Sequence, residues 1–294
     1  MSITNTSTSN LVESALNEPY CRFLGVRPLK VESGAVRVEL PYREEISNPG
    51  RQVNGGVMSS MLGIAGRAAA LSGCELPAPL SASSVEINVT YLSSAVGEDM
   101  IADGQVVRRG KELTHVRCAL ATSADKPLAS AMVILRTVPA SDEPAPSPLT
   151  AERADAPEGE LPSIARALSG VPFMRALGIR ADRFDSGRAE LTLPARDNTC
   201  GAGGAFHEGA LGTLIDAAGA LSAWSNVRPQ PGMKVSTVSI DVNFCWSPSG
   251  KDAIAYAHTV SRRKEIFYNR VDVLTPENVP MALGSVIYRI VLPD

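Results

Sequence analysis

One carboxylate stands out by its surroundings. Asp216 lies in the run GTLIDAAGAL, apolar or small on both sides and spaced as a helix. Burying a carboxylate without partners is costly. Burial also raises its pKa toward the range where it exchanges protons near neutrality. A carboxylate so placed can activate water as a general base or attack an electrophilic carbon directly. No metal is called for. The three histidines (His115, His207, His258) are too scattered for a cluster, and the five cysteines (Cys21, Cys74, Cys118, Cys200, Cys245) show no CxxC spacing.

The chain carries a second copy of this region without the carboxylate. At an offset of 153 residues, Pro19, Leu24 and Gly25 meet Pro172, Leu177 and Gly178. Ser33-Gly34 meets Ser186-Gly187, Leu40-Pro41 meets Leu193-Pro194, and Gly56 and Gly66 meet Gly209 and Gly219. Glu112 meets Glu265 and Arg136 meets Arg289, so the match spans nearly all of each half and marks a duplicated domain. In that register Asp216 faces Gly63. Two related sites are expected, with the carboxylate in one.

Each half must position its site with the same elements. Apolar alternation in VRPLKVESGAVRVEL, with Ser33-Gly34 at the turn, predicts a hairpin. A loop with Asn48-Pro49-Gly50 follows, then a nearly uncharged helix from Gly55 to Leu71 that should be buried on most faces. Strands are expected at Ala82–Leu92, Met100–Arg108, Leu113–Thr122 and Leu128–Val138. The second half repeats the order, with its helix from about Glu208 to Trp224. A polar tail over residues 1–9 and a short helix from Leu11 to Leu16 open the chain. These patterns divide it into an N-terminal domain (1–141), a Pro/Ala/acidic linker (142–162) and a C-terminal domain (163–294). One uncharged helix per antiparallel sheet implies an α+β arrangement in which the sheet wraps the helix.

Composition narrows the function. The formal net charge is −3 with no long basic run, which leaves nucleic-acid binding without an electrostatic footprint. No signal-peptide pattern opens the chain and no apolar run reaches membrane-spanning length, so a cytoplasmic protein is expected, with no membrane partner.

The local residues resemble the PaaI-like acyl-CoA thioesterases of the hotdog fold. In that family a loop Asn precedes an HGG stretch by six residues. A helical Asp follows the His by nine, and a strand Ser stands four residues before an Asn. Here the first half has Asn48 and Asn54-Gly55-Gly56 at that spacing, but Gly63 at the Asp position. The second half has His207-Glu208-Gly209 and Asp216, but Gly201 at the Asn position. Ser84 in SVEINVTY and Ser239 in SIDVNFCW both fit the strand position.

The resemblance implies two tandem hotdog domains packed as a pseudo-dimer, with composite sites where they meet. One site would gather Asp216 and Ser239 with Asn48 and the Gly55 backbone; Gly55 N–H and Asn48 would bind the oxyanion. The other would gather Gly63, Ser84, Gly201, His207 and Glu208 and lack both the carboxylate and the Asn. The implied reaction is hydrolysis of an acyl-CoA thioester, with CoA as part of the substrate and no further cofactor. Asn54 and Gly56 would border the substrate. Arg108, Arg109, Arg262 and Arg263, in two basic turns, could contact CoA phosphates. A homodimer of double-hotdog chains is expected. The rival readings are a non-catalytic acyl-CoA binding protein and a hotdog enoyl-CoA hydratase or dehydratase.

Overall fold

The computed structural model describes residues 6–74, 80–139, 145–149 and 167–293. Among the described residues five α-helices and twelve strands make two like halves. Helix α1 (Thr6–Leu16) and helix α2 (Pro19–Leu24) precede the hairpin β1 (Arg27–Glu32) and β2 (Ala35–Leu40). Helix α3 (Gly55–Leu71) follows, then β3 (Leu80–Tyr91), β4 (Met100–Arg109), β5 (Leu113–Thr122) and β6 (Pro127–Pro139). The second half has α4 (Pro172–Leu177), β7 (Arg180–Asp185), β8 (Arg188–Leu193) and α5 (Glu208–Trp224). It ends with β9 (Lys234–Phe244), β10 (Ala253–Arg263), β11 (Ile266–Leu274) and β12 (Pro280–Val291). Most of the linker proposed at 142–162 lies outside the described residues.

All twelve strands join one antiparallel sheet, in the order β1-β2-β4-β5-β6-β3-β9-β12-β11-β10-β8-β7. The halves meet at β3 and β9, where Asn88 pairs with Asp241. These two residues stand 153 apart, so each faces its own counterpart and the pseudo-two-fold axis passes between them. The Asn88 amide donates to Asp241 there at 3.2 Å.

Helices α3 and α5 bury nearly their whole surfaces against this sheet and against each other. They approach closely because glycine faces a hydroxyl residue twice over. A Cβ on Gly56 would lie 2.5 Å from Thr213 Oγ1, and one on Gly209 would lie 2.6 Å from Ser60 Oγ. This contact sets the N-terminal end of each helix beside the middle of the other.

The two long helices and the main strands follow the sequence pattern closely. Helix α1 begins at Thr6, so residues 6–9 are helical and not the predicted polar tail. Helices α2 and α4 fall where the sequence pattern assigns no element. Proline opens each, and a left-handed glycine closes each, Gly25 at φ 85° and Gly178 at φ 76°.

Candidate active site

The Asp216 side chain points from the buried face of α5 to the start of α3. A Cβ on Gly55 would come within 2.7 Å of Asp216 Oδ2, so only glycine leaves room there. Asp216 Oδ1 accepts a hydrogen bond from Thr237 Oγ1 at 2.6 Å. Burial pushes the Asp216 pKa up from 3.8 to about 6, against the opposing pull of the Thr237 bond. Among the described residues no donor reaches Oδ2.

The start of α3 supplies donors. Asn54 caps the helix, its Oδ1 accepting the Gly56 N–H at 2.9 Å. Its Nδ2 donates to Asn48 Oδ1 at 2.7 Å. That bond occupies the Asn48 oxygen and leaves the Asn48 Nδ2 as the group free to donate. The Gly55 N–H finds no acceptor among the described residues. It is an orphan donor at the positive end of a 17-residue helix. A carboxylate and unengaged donors therefore meet at one desolvated point, contributed by opposite halves of the chain.

Tyr91 completes this point and was not foreseen from the sequence. Its hydroxyl donates to Gly55 O at 3.0 Å, and burial, then the nearby Asp216, raises its pKa. At the 153-residue offset its counterpart is Phe244, which has no hydroxyl. That asymmetry was readable.

No family model matches the chain. A protein of Halobacterium salinarum described as a "putative esterase" is 35% identical over 106 residues, which are 35% of this chain and 70% of that protein. The chain belongs to the family of that protein. Solved structures show the fold over most of the chain. An acyl-CoA thioesterase II from Mycobacterium marinum matches with a TM-score of 0.61 at 11% identity, covering 92% of this chain and 98% of that one. A hot dog fold protein from Alicyclobacillus acidocaldarius matches with a TM-score of 0.59 at 14% identity, over 88% and 94%.

In this hotdog protein the second composite position is built differently. Gly63, Ser84 and Glu208 line one small void. The Glu208 carboxylate accepts from the Ser84 N–H at 3.3 Å and from Arg67 at 3.4 Å. Arg67 also grips Glu18 through two bonds of 3.1 and 2.8 Å. Gly201 makes way for Glu18, whose Oε2 would lie 2.6 Å from a Cβ there. His207 caps α5, its Nδ1 accepting the Gly209 N–H at 3.0 Å, and it stacks on Tyr20 with ring centres 4.7 Å apart. Burial pushes the His207 pKa down to about 4. The cap occupies Nδ1 and Glu208 is held by Arg67, so the pair does not form the acid–base couple of a hydratase.

Several expected roles change. Ser239 does not touch Asp216; Thr237 does. A bulge at Val238 shifts the register between β9 and β12. Ile240 and Val242 are buried against the helix, so Ser239 takes the opposite face. A matching bulge at Val85 makes Ser84 the counterpart of Thr237. Gly56 is a helix-packing residue, with its N–H held by Asn54 and its Cα against Thr213, and does not border substrate. Asn54 positions the helix start and Asn48. Arg109 binds Ala70 O and Ser72 O at the far end of α3, a cap and not a phosphate contact. Arg262 lies over the Phe267 ring at 4.7 Å and donates to Lys264 O, while Arg108 and Arg263 are exposed. No group of three or more metal-ligating side chains occurs among the described residues. No described helix is long and apolar enough to cross a membrane.

Proposed function

We propose that the chain hydrolyses an acyl-CoA thioester, in the manner of the PaaI-like enzymes, at the position where Asp216 faces the start of α3. The observation that carries this reading is a buried carboxylate of raised pKa set against an unengaged helix-start N–H. A water held by Asp216 loses its proton to the carboxylate and adds through oxygen to the thioester carbon. The carbonyl electrons move onto oxygen, where the Gly55 N–H and Asn48 Nδ2–H receive the charge. Preorganised donors of this kind typically contribute about 100- to 1,000-fold each. Collapse breaks the carbon–sulfur bond, and the thiolate takes a proton, giving acid and CoA. In the nucleophilic variant Asp216 itself attacks, and water then cleaves the anhydride. Thr237 orients the carboxylate, and Tyr91 fixes the Gly55 peptide.

Similarity to a protein described as a "putative esterase" and to the fold of an acyl-CoA thioesterase II supports the same class of reaction. The test is thiol release from acyl-CoA substrates, in wild type and Asp216→Asn. Release that falls by roughly 100-fold or more in a folded variant supports the reading. Equal release in both, or none in wild type with any acyl group, overturns it.

A further inference from the structure

The second composite position opens on a cavity of ≈ 430 Å³, well inside the range of small-molecule sites. It follows from particular exchanges between the halves. Where the first half has Asn48, Pro49 and Gln52, the second has Gly201, Ala202 and Ala205, which clear space. Where the first half has Val53, Tyr91 and Ser93, the second has Phe206, Phe244 and Trp246, which line that space with rings.

Among the described residues the floor of the cavity is one positive charge short. It holds Glu18, Glu208 and Arg67, the last bridging the other two. His207 adds no charge at neutral pH, because burial holds it down to about 4. Arg136, at the wall, sits 3.6 Å from Glu112 and is offset by it. Two carboxylates on one guanidinium leave a buried negative excess, which low dielectric makes costly. Burial accordingly raises the Glu18 pKa.

We propose that this cavity is a second binding site, for an organic ammonium ion with an aromatic or other flat apolar body. The ammonium supplies the missing charge beside Glu18 and Glu208. The rings of Phe206, Phe244 and Trp246 take the body and add cation–π attraction. The site binds and does not hydrolyse. Gly63 removes the carboxylate that faces the helix start in the other site, and the Glu208 side chain fills that start. Carboxylate ligands are excluded by the same negative floor.

The test uses three probes of one shape: 2-phenylethylamine, 2-phenylethanol and phenylacetate. Binding is read by calorimetry and by quenching of Trp246 fluorescence. The amine should bind at least about tenfold more tightly than the alcohol, and phenylacetate should not bind. Glu208→Gln should erase the preference for the amine, and Ala205→Phe, which fills the cavity, should abolish binding of all three probes. Asp216→Asn should bind the amine as wild type does, which separates this proposal from the hydrolytic one. Equal binding of amine and alcohol, binding of phenylacetate, or amine binding that survives Ala205→Phe would overturn it. So would the absence of amine binding at about 10 mM. If Glu208→Gln does not fold, the probe series on wild type and Ala205→Phe decides.

Discussion

Asp216→Asn should make the protein more stable as well as inactive. The carboxyl is buried, and its pKa rises from 3.8 to about 6 on folding. The sign follows from proton binding. Between these two pH values the folded state holds a proton that the unfolded state has released. Stability therefore falls as pH rises through this window, and the cost is fully present above about pH 6. At about 1.4 kcal/mol per pKa unit the full cost is roughly 3 kcal/mol, of which roughly 2 falls between pH 4.5 and pH 8. The amide removes the titration and keeps the structure. Its oxygen can still accept from Thr237, and its NH2 replaces an oxygen that no described donor reaches. Urea unfolding of both proteins at pH 4.5 and pH 8 isolates the effect, because all other groups titrate in both. The gain from the substitution should be larger at pH 8 than at pH 4.5 by roughly 2 kcal/mol. A gain independent of pH, or a variant less stable at pH 8, would refute the desolvation argument for this residue.

Gly55→Ala should cost on the order of 100-fold in kcat with little loss of fold, since the new methyl meets Asp216 Oδ2 and not backbone; circular dichroism and thiol release check it. Arg67→Met should destabilise by about 3–5 kcal/mol, because it strands two buried carboxylates. The triple variant with Glu18→Gln and Glu208→Gln should recover most of that loss in the same unfolding assay. Light scattering should give the mass of two chains. The exposed apolar residues Val107, Leu113, Met132, Val260 and Tyr268 offer surface to cover, and a monomeric mass at micromolar concentration would rule this out.

The duplication made most of the fold legible before any coordinates. Proline, glycine and apolar periodicity set the hairpins, and two 17-residue runs of mostly apolar and small residues became the two buried helices. Short helices α2 and α4 were missed because six residues carry little periodic signal. In the site, Asp216 stood out by its apolar surroundings and its absence from the other repeat, while its meeting with Gly55 across the halves was implied by the resemblance to the PaaI-like enzymes. Thr237 was missed because a bulge at Val238 moves the inward-facing position by one residue, and motif matching picked Ser239. The repeat offset itself would have chosen correctly, since it pairs Ser84 with Thr237. The Glu18–Arg67–Glu208 cluster was invisible, because it joins residues from the turn before α2, from α3 and from α5 that share no local pattern.

The most direct test is thiol release from a panel of short, medium, long and aryl acyl-CoA substrates, followed across pH 4.5 to 8. Turnover should rise with an apparent pKa near 6, as Asp216 loses its proton, and should vanish in Asp216→Asn at every pH. Turnover that is flat across this range, or that persists in the variant, would contradict the assignment of Asp216 as the group that drives hydrolysis.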